Sequence, residues 1–483
     1  MSTPLWSFEA MVAAMAGRPV GRAPSAVTGI SIDSRTLSPG DAFFAIRGDS
    51  FDGHDFVHRA LAAGASTAVV STARLAAFGD VTGSLVVVDD VLAALGRLGR
   101  AARARSGARI AAITGSVGKT GTKEMLAQAL ASEGAVHYSP ASFNNHWGVP
   151  LTLARMPESA RFGVFEIGMN HAGEIEPLVK MVEPHVAIVT TVEPVHLEFF
   201  DSVESIARAK AEIFRGLAPG GVAVINADNP HAGLLETEAR AAGAGRIVRF
   251  GEAAGAEARL ELVKLKPECS CVSAEILGER LTYKLGAPGR HIVQNSLAVL
   301  AAVVLMGGDL ASAGLALGTL GAPKGRGARF RLSLPSGGKA TLIDESYNAN
   351  PASMRAAIAI LGQSEPAKQG RRIAVLGDMR ELGPAGPELH AGLAVDLAAA
   401  GVDRVYLAGP LMHALYQALP AGLRGGYAEA AADLEPTVSE AIERGDVIMV
   451  KGSNGSRMWG LVDSLKAQFK AETAEADLHR DAV

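Results

Sequence analysis

Residues 109–130 read RIAAITGSVGKTGTKEMLAQAL, an apolar strand pattern, a glycine-rich turn and a stretch of good helix formers in direct succession. Glycines let backbone N–H groups approach phosphate oxygens, and the N-terminus of the following helix favours negative charge. A lysine here can neutralise the β- and γ-phosphates, and a threonine hydroxyl can hold Mg²⁺. The predicted phosphate loop consists of Gly115, Ser116, Val117, Gly118, Lys119 and Thr120.

The loop departs from the strict pattern GxxxxGK[ST] at its first position, where Ile113 replaces glycine. It is a shortened form, TGSVGKT. The alternative is a glycine-rich strand–helix turn that binds nothing. The strand before the loop and the helix after it favour nucleotide binding, but the pattern does not identify the reaction.

Outside this loop the chain divides into three segments. Its 483 residues suit roughly three domains of about 150 residues each. Residues 1–90 read as a small α/β domain. Residues 91–321 alternate apolar strands with helical stretches, which predicts a P-loop-type, mainly parallel sheet with flanking helices. Residues 322–483 repeat that alternation and predict a Rossmann-like domain, after a linker rich in Gly, Pro and basic residues near Gly321.

The overall composition excludes some classes of protein. The net charge is −4 and acidic and basic residues are mixed, so we expect no dedicated nucleic-acid surface. The N-terminus lacks the basic leading region of an export signal. The longest apolar run, residues 297–306, is shorter than the roughly 20 residues that span a bilayer. We therefore expect a soluble, cytoplasmic protein without a membrane partner.

Polar side chains follow several predicted strands, at the sheet edge where ligands of open parallel sheets bind. In the second segment these are Glu166, Thr191, Glu193, His196, Asn226, Asp228 and Asn229. In the third, Asp344, Glu345 and Asn348 follow the strand KATLIDE, Asn350 is a predicted N-cap, and Lys451 ends another strand. Each alone can equally be a capping or surface residue. Their repetition beside a phosphate loop favours contacts with Mg²⁺ or a polar substrate.

These stretches together resemble the Mur ligase family over nearly the whole chain. The motifs that carry the resemblance, in order, are DSRTLSPGDAFFAIRGDSFDGHDF, ITGSVGKTGTKEM, SFNNHWGVPLTL, FEIGMNHAGEI, EPVHLEFFDSVESIARAKAEIF, APGRHIVQNSLAVL, DESYNANPASM and VLGDMRELG. Their order is that of the family member acting on UDP-N-acetylmuramoyl-tripeptide. The resemblance implies an ATP-dependent ligase that joins D-alanyl-D-alanine to this tripeptide through an acyl phosphate, in cytoplasmic peptidoglycan precursor synthesis. It further implies Mg²⁺ as cofactor, and we expect a monomer.

The resemblance also implies roles for residues around the phosphates. Lys119 would bind the ATP phosphates and Thr120 a Mg²⁺ ion. Glu166 matches the family's metal-binding carboxylate and His196 its metal-associated histidine. Lys210 matches a lysine that the family carbamylates, which converts an amine into an anionic oxygen ligand for a second Mg²⁺. Without the resemblance, Lys210 reads as a solvated helical lysine.

Further roles follow for the rest of the nucleotide and for the substrate. Asn295 would contact adenine, Asp344 the ribose, and either Arg326 or Arg329 a phosphate; the spacing in KGRGARF leaves that choice open. Asn348 is expected in the same ATP crevice. The predicted substrate contacts are Asn144 and Asn145 near the acceptor, and Asp33, Ser34 and Arg35 at the uridine diphosphate.

Two classes of alternative remain at this point. One is a sister Mur ligase or a folylpolyglutamate-synthetase-like ligase; the DNPR motif typical of the third-residue ligase does not occur in this chain. The other is a P-loop NTPase motor or regulator, since TLIDES resembles a Walker B strand. That stretch, however, lies more than two hundred residues beyond the loop. Phosphate release that requires both substrates separates a ligase from a motor.

Overall fold

The computed structural model describes residues 4–48, 51–79, 83–140, 142–195, 197–321 and 325–473. Each of the three segments contains its own β-sheet flanked by helices, so the predicted α/β class and three-domain architecture are confirmed. Among the described residues, no helix combines the length and apolar character that a membrane crossing needs.

The N-terminal domain is a small five-stranded sheet. Its strands lie in the order Arg18–Val20, Leu85–Val88, Thr67–Ser71, Asp41–Phe44 and Gly29–Ser31. The first of these is antiparallel to its neighbour and the other four are parallel. Helices Phe8–Met15 and Val57–Ala62, the 3-10 segments Gly53–Phe56 and Thr72–Phe78, and the paired short strands Trp6–Ser7 and Ala26–Val27 complete it.

Helix Val91–Arg105 joins this domain to the central one. Its buried residues share a hydrophobic core with Trp6 and Met11 and with residues of helix Gly148–Ala154. Across the same contact, Trp6 Nε1 donates to the Ala154 carbonyl (3.0 Å). The domain boundary expected near residue 90 stays a prediction.

The central domain is built on a nine-stranded sheet. Its strands lie in the order Glu279–Leu285, Ser270–Ile276, Ala258–Leu265, Arg246–Gly251, Val222–Asn226, Val186–Val189, Arg109–Thr114, Phe162–Glu166 and Val136–Tyr138. The first two strands of this order are joined to the sheet by antiparallel pairing, and the other seven pair in parallel. Its helices are Lys119–Leu130, Gly148–Ala154, Ile175–Val182, Val203–Ala211, Ala232–Ala241, Arg290–Leu305 and Leu310–Leu317, with 3-10 segment Glu212–Gly216.

Both faces of this sheet are covered, which explains why its strands are continuous apolar runs rather than alternating ones. Within strand Arg109–Thr114, Ala111 and Ile113 belong to one core, with the helix that follows the phosphate loop. Ile110 and Ala112 belong to a second core on the opposite face. The strand that precedes the loop is therefore fixed from both sides.

The C-terminal domain repeats this layered plan. Its strands lie in the order Arg424–Ala428, Arg404–Ala408, Arg372–Gly377, Val447–Lys451, Lys339–Glu345, Ala328–Ser333 and Glu472–Thr473. The first five pair in parallel, and the last two are joined to the sheet by antiparallel pairing. Its helices are Pro351–Gln363, Gly386–Ala399, Met412–Ala418, Ala431–Ala441 and Met458–Gln468, with 3-10 segments Gly383–Ala385, Ala421–Leu423 and Asn454–Ser456. Asn350 caps the first helix in a reciprocal capping box with Ser353, and Pro351 occupies its first turn, as predicted.

Candidate active site

A cavity of about 620 Å³ lies between the central and C-terminal domains, at the predicted phosphate loop. The central domain contributes Ser116, Val117, Gly118, Lys119, Thr120, Asn144, Glu166 and Asn295 to its lining. The C-terminal domain contributes Arg326, Arg329, Glu345, Tyr347, Asn348 and Lys451. The structure thus brings together most of the residues predicted to hold a nucleotide, from segments more than two hundred residues apart.

Each of the two glycines in the phosphate loop lies too close to a different neighbouring side chain to carry a side chain of its own. Gly115 has φ +149°, and a Cβ atom there would lie 1.9 Å from Thr190 Oγ1. Gly118 has φ +88°, and its Cβ would lie 2.5 Å from Asn295 Nδ2. Only glycine fits both the backbone conformation and the space. Helix Lys119–Leu130 starts directly after Gly118, and Lys119 Nζ donates to the Gly115 carbonyl (2.7 Å).

The segment after strand Val186–Val189 holds the loop in place. Thr190 Oγ1 donates to the Val117 carbonyl (2.6 Å). Ser116 Oγ donates to the Glu193 carbonyl (3.1 Å) and accepts from the Glu193 N–H (2.9 Å). Thr190 was not among the predicted residues, although its place at a strand end is the signal that identified Thr191 and Glu193. Glu193 acts on the loop through its backbone.

Glu166 and Thr120 form the polar centre of the site. Glu166 is 4% exposed; its Oε2 accepts from Thr120 Oγ1 (2.9 Å) and its Oε1 from Asn144 Nδ2 (2.8 Å). Ser142 Oγ lies 3.3 Å from Thr120 Oγ1. Hydroxyl and carboxylate oxygens beside a phosphate loop suit Mg²⁺, which keeps several waters and needs few protein ligands. Within the described ranges, no three His, Cys, Asp or Glu side chains converge on a possible metal position.

His196 and Lys210 are the other two residues that the resemblance associates with a metal ion. His196 lies outside the described residues. Lys210 lies on helix Val203–Ala211 and is only 2% exposed. Burial, reinforced by the charge of Lys119, holds the pKa of Lys210 well below its usual value. Burial also lowers the pKa of Lys119, against the opposing effect of Glu166. Lys210 is therefore not the solvated helical lysine that the sequence suggests without the resemblance, whereas its carbamylation stays a prediction.

The two candidate arginines differ in their surroundings. The Arg326 guanidinium lies over the Tyr347 ring, 4.1 Å from its centroid, and its charge acts on Lys119 across the cavity. Arg329 is tied to Ser364, since its Nη2 donates to Ser364 Oγ (2.9 Å). Burial lowers the pKa of Arg329. The structure therefore separates two arginines that the sequence could not separate, and a phosphate contact for either stays a prediction.

Lys451 and Glu345 form a buried pair on the C-terminal side of the cavity. Lys451 Nζ lies 3.5 Å from Glu345 Oε2 and donates to the Asn348 carbonyl (2.9 Å). Burial raises the pKa of Glu345, and Lys451 opposes that effect. Burial lowers the pKa of Lys451, and Glu345 opposes that effect. The contact orders the segment that carries Asn348 and Tyr347 beside the phosphate loop.

Asp344 lies behind the cavity wall. It is 1% exposed, its Oδ2 accepts from the Gly325 N–H (3.1 Å), and its Oδ1 accepts from the N–H (3.1 Å) and hydroxyl (2.6 Å) of Ser346. It therefore fixes the backbone that carries Arg326, while its neighbour Glu345 lines the cavity. A ribose contact for Asp344 stays a prediction.

The predicted substrate residues fall in two places. Asn144 lines the cavity beside Glu166, whereas Asn145 Oδ1 accepts from the Gly148 N–H (2.9 Å) at the start of a helix. Asp33, Ser34 and Arg35 follow strand Gly29–Ser31 on the N-terminal domain and do not line the cavity. Arg35 pairs with Asp33 (Nη2 to Oδ2, 2.7 Å) on the surface. Their contact with a uridine diphosphate stays a prediction.

Comparison with known proteins gives a consistent result. Three family models match: "Mur ligase family, catalytic domain" at residues 26–103, "Mur ligase middle domain" at 113–303, and "Mur ligase, glutamate ligase domain" at 329–454. The UDP-N-acetylmuramoyl-tripeptide–D-alanyl-D-alanine ligase of Escherichia coli (strain K12) is 34% identical over 90% of this chain and 93% of its own.

Solved structures agree. A crystal structure of MurF from Acinetobacter baumannii superposes with a TM-score of 0.83 at 30% identity, covering 96% of this chain and 100% of that one. MurF ligase from Thermotoga maritima in complex with ADP gives a TM-score of 0.75 at 25% identity, covering 92% of this chain and 98% of that one.

Proposed function

The chain belongs to the Mur ligase family, and on that premise we propose that it joins D-alanyl-D-alanine to UDP-N-acetylmuramoyl-tripeptide at the expense of ATP. The observation that carries the proposal is the phosphate loop with its Thr120–Glu166 contact, which faces the C-terminal domain across one cavity. The similarity to a ligase solved with ADP supports ATP as the nucleotide.

The reaction has two chemical steps. A terminal carboxylate oxygen of the tripeptide attacks the γ-phosphorus of ATP, the bond to ADP breaks, and an acyl phosphate forms. The amine of the dipeptide then attacks the activated carbonyl, loses a proton, and releases phosphate. Activation is needed because a free carboxylate is a poor electrophile. Cleavage of ATP to ADP and phosphate is thereby coupled to one new amide bond, and the carboxylate oxygen leaves with the phosphate.

The protein contributes positioning and charge neutralisation to the first step. The backbone N–H groups between Gly115 and Thr120 and the start of helix Lys119–Leu130 surround the phosphates. Lys119 and, from the opposite domain, Arg326 offset the negative charge that builds up when a carboxylate approaches ATP. The cavity lies between two domains, and closure of these domains over the bound substrates would keep water from the acyl phosphate.

Mg²⁺ fits the oxygen-rich pair of Thr120 and Glu166, and when bound it supplies charge neutralisation between the phosphates and the incoming carboxylate. We extend the proposal to His196 and to a carbamylated Lys210 as further ligands. The lowered pKa of Lys210 supports carbamylation, because only a neutral amine attacks CO₂. The amine nitrogen bonds to the carbon of CO₂ and loses one proton, which leaves an anionic carbamate.

We expect the enzyme to act as a monomer in the cytoplasm, where ATP and UDP-linked precursors occur. Light scattering of the purified protein tests the first point.

Product analysis tests the proposed reaction. Purified protein is incubated with ATP, Mg²⁺, UDP-N-acetylmuramoyl-tripeptide and D-alanyl-D-alanine, and the UDP-linked product is weighed by mass spectrometry. The proposal predicts the mass of the dipeptide adduct, and phosphate release only when both substrates are present. A product formed instead with a single amino acid would assign a sister ligase. Equal ATP turnover without any acceptor acid would contradict a ligase altogether.

A further inference from the structure

Lys123 is a fully buried lysine on the helix that follows the phosphate loop. Its exposed fraction is 0%, in a helix whose lysines would ordinarily extend into solvent. Position 123 lies four residues after 119 and three after 120, so its side chain is a neighbour of both on the helix surface. The sequence motif TGTKEM gives no sign of this burial, and no role was predicted for Lys123.

The surroundings of the Lys123 amine explain the burial. Its Nζ donates to the Ser139 carbonyl (2.6 Å) and lies 3.0 Å from Glu124 Oε1. It also lies 4.0 Å from Glu166 Oε2, the oxygen that accepts from Thr120 Oγ1. Both carboxylates line the nucleotide cavity. A buried charge is tolerated only when it is paired and hydrogen-bonded, and Lys123 is both.

The Ser139 carbonyl that Lys123 binds lies close in the sequence to other polar residues of the site. Ser139 directly follows strand Val136–Tyr138 and starts the segment that carries Ser142 and Asn144. Ser142 Oγ meets the Thr120 hydroxyl, and Asn144 Nδ2 donates to Glu166 Oε1. One amine therefore connects the helix after the phosphate loop, the central carboxylate, and the segment that supplies the remaining polar groups.

We propose that Lys123 is a positioning residue, which acts through Glu166 and through the segment beginning at Ser139 to set the geometry of the Mg²⁺–ATP site. This inference rests on the proposed function for its effect on turnover, but its effect on nucleotide binding does not require ligation. Because Lys123 is fully buried and does not line the cavity, it does not touch the reacting atoms. Methionine at this position keeps the length of the side chain and removes the charge and the hydrogen bond.

A double-mutant cycle in nucleotide binding tests the proposal. The affinity for a non-hydrolysable ATP analogue is measured by calorimetry with Mg²⁺ and with EDTA, for wild type, Lys123→Met, Glu166→Gln and the double variant. We expect Lys123→Met to lose most of the Mg²⁺-dependent gain in affinity and to change the affinity in EDTA by less than about threefold. Since both residues act on the same geometry, the double variant should be no weaker than the weaker single variant.

Turnover gives a second readout. Misplaced catalytic groups cost on the order of 10²-fold, so kcat of Lys123→Met should fall by about that factor. The KM for ATP should rise only as far as the affinity lost in the Mg²⁺ titration, and by less than kcat falls, because the loop backbone still holds the phosphates. A residue that only stabilises the fold would not produce this split. Lys123→Arg, which keeps the charge, should recover part of kcat.

Lys180→Met is the matched control. Lys180 is a surface lysine paired with Glu176, with 59% of its side chain exposed, and its loss should change neither measurement. Additive effects in the binding cycle, or Lys123→Met behaving as Lys180→Met, would overturn the proposal. If Lys123→Met does not fold, the cycle is run with Lys123→Gln, which also removes the charge, and the same two outcomes decide. If the effects of Lys123 and Glu166 on binding are coupled but the enzyme forms no dipeptide adduct, the proposed reaction is rejected and the positioning role of Lys123 is not.

Discussion

Replacing Gly118 by alanine is expected to weaken nucleotide binding by about 5- to 30-fold. Gly118 has φ +88°, a backbone region that costs an L-residue about 1–2 kcal/mol. Its new Cβ would also lie 2.5 Å from Asn295 Nδ2, so the amide must move out of its place in the cavity wall. The loop can relieve both the backbone strain and the close contact by moving, without unfolding of its domain. Nucleotide binding must then restore the strained conformation. Each 1.4 kcal/mol of strain that binding restores lowers the affinity about tenfold.

The assay is calorimetric titration with an ATP analogue and Mg²⁺, together with thermal unfolding. Gly243→Ala is the control. Gly243 has φ +82° but no atom within 4 Å of the added Cβ, and it does not line the cavity. The Gly243→Ala variant therefore introduces the same backbone strain without the contact. Each 1 kcal/mol lost from the free energy of unfolding should lower Tm by roughly 2–4 °C in a domain of this size. The reasoning would be refuted if Gly118→Ala bound the analogue within twofold of wild type.

Three further perturbations have defined outcomes. Thr120→Val removes the hydroxyl that donates to Glu166; phosphate release should fall at least about tenfold, and a Mg²⁺ titration that matches wild type would contradict this. Arg326→Ala should raise the KM for ATP or lower kcat about tenfold or more, whereas Arg329→Ala should mainly lower Tm; the reverse pattern would exchange their roles. Burial and neighbouring arginines lower the pKa of His185 to about 4. Between the ordinary pKa of histidine and this lowered value, the unfolded chain binds a proton at His185 that the folded chain does not bind. The free energy of unfolding should therefore fall as the pH drops from about 6.5 to about 4. Urea unfolding of wild type and His185→Asn at pH 7 and pH 5 measures this; equal pH dependence in both would contradict it.

Much of the fold was predictable because its local signals agree with its global architecture. Strands covered on both faces must be apolar along their whole length, so FGVFE and VAIV identify a parallel sheet without any partner being known. The loop at Gly118, the cap at Asn350 and the carboxylate at Glu166 each follow from residue type and from position next to a strand or helix end. Such features depend on neighbours within a few residues.

The features that were missed depend on distant neighbours. Lys123 reads as an exposed helical lysine until strand pairing brings Ser139 and Glu166 beside it. Arg326 and Arg329 have equivalent local surroundings in the sequence. The strand that pairs Arg329 with Ile343 and its contact with Ser364 separate them only in three dimensions. Residue type therefore predicted the candidate ligands of the site, whereas the groups that orient these side chains became visible only in the packed structure.

The transfer of one oxygen atom tests the central claim most directly. UDP-N-acetylmuramoyl-tripeptide is labelled with ¹⁸O in its terminal carboxylate and incubated with ATP, Mg²⁺ and D-alanyl-D-alanine, and the released phosphate is analysed by mass spectrometry. If the loop before Lys119 presents the γ-phosphorus to that carboxylate, each phosphate released with a new amide bond carries one ¹⁸O. Amide formation with unlabelled phosphate would contradict the account, because the acid would then have been activated without attacking ATP.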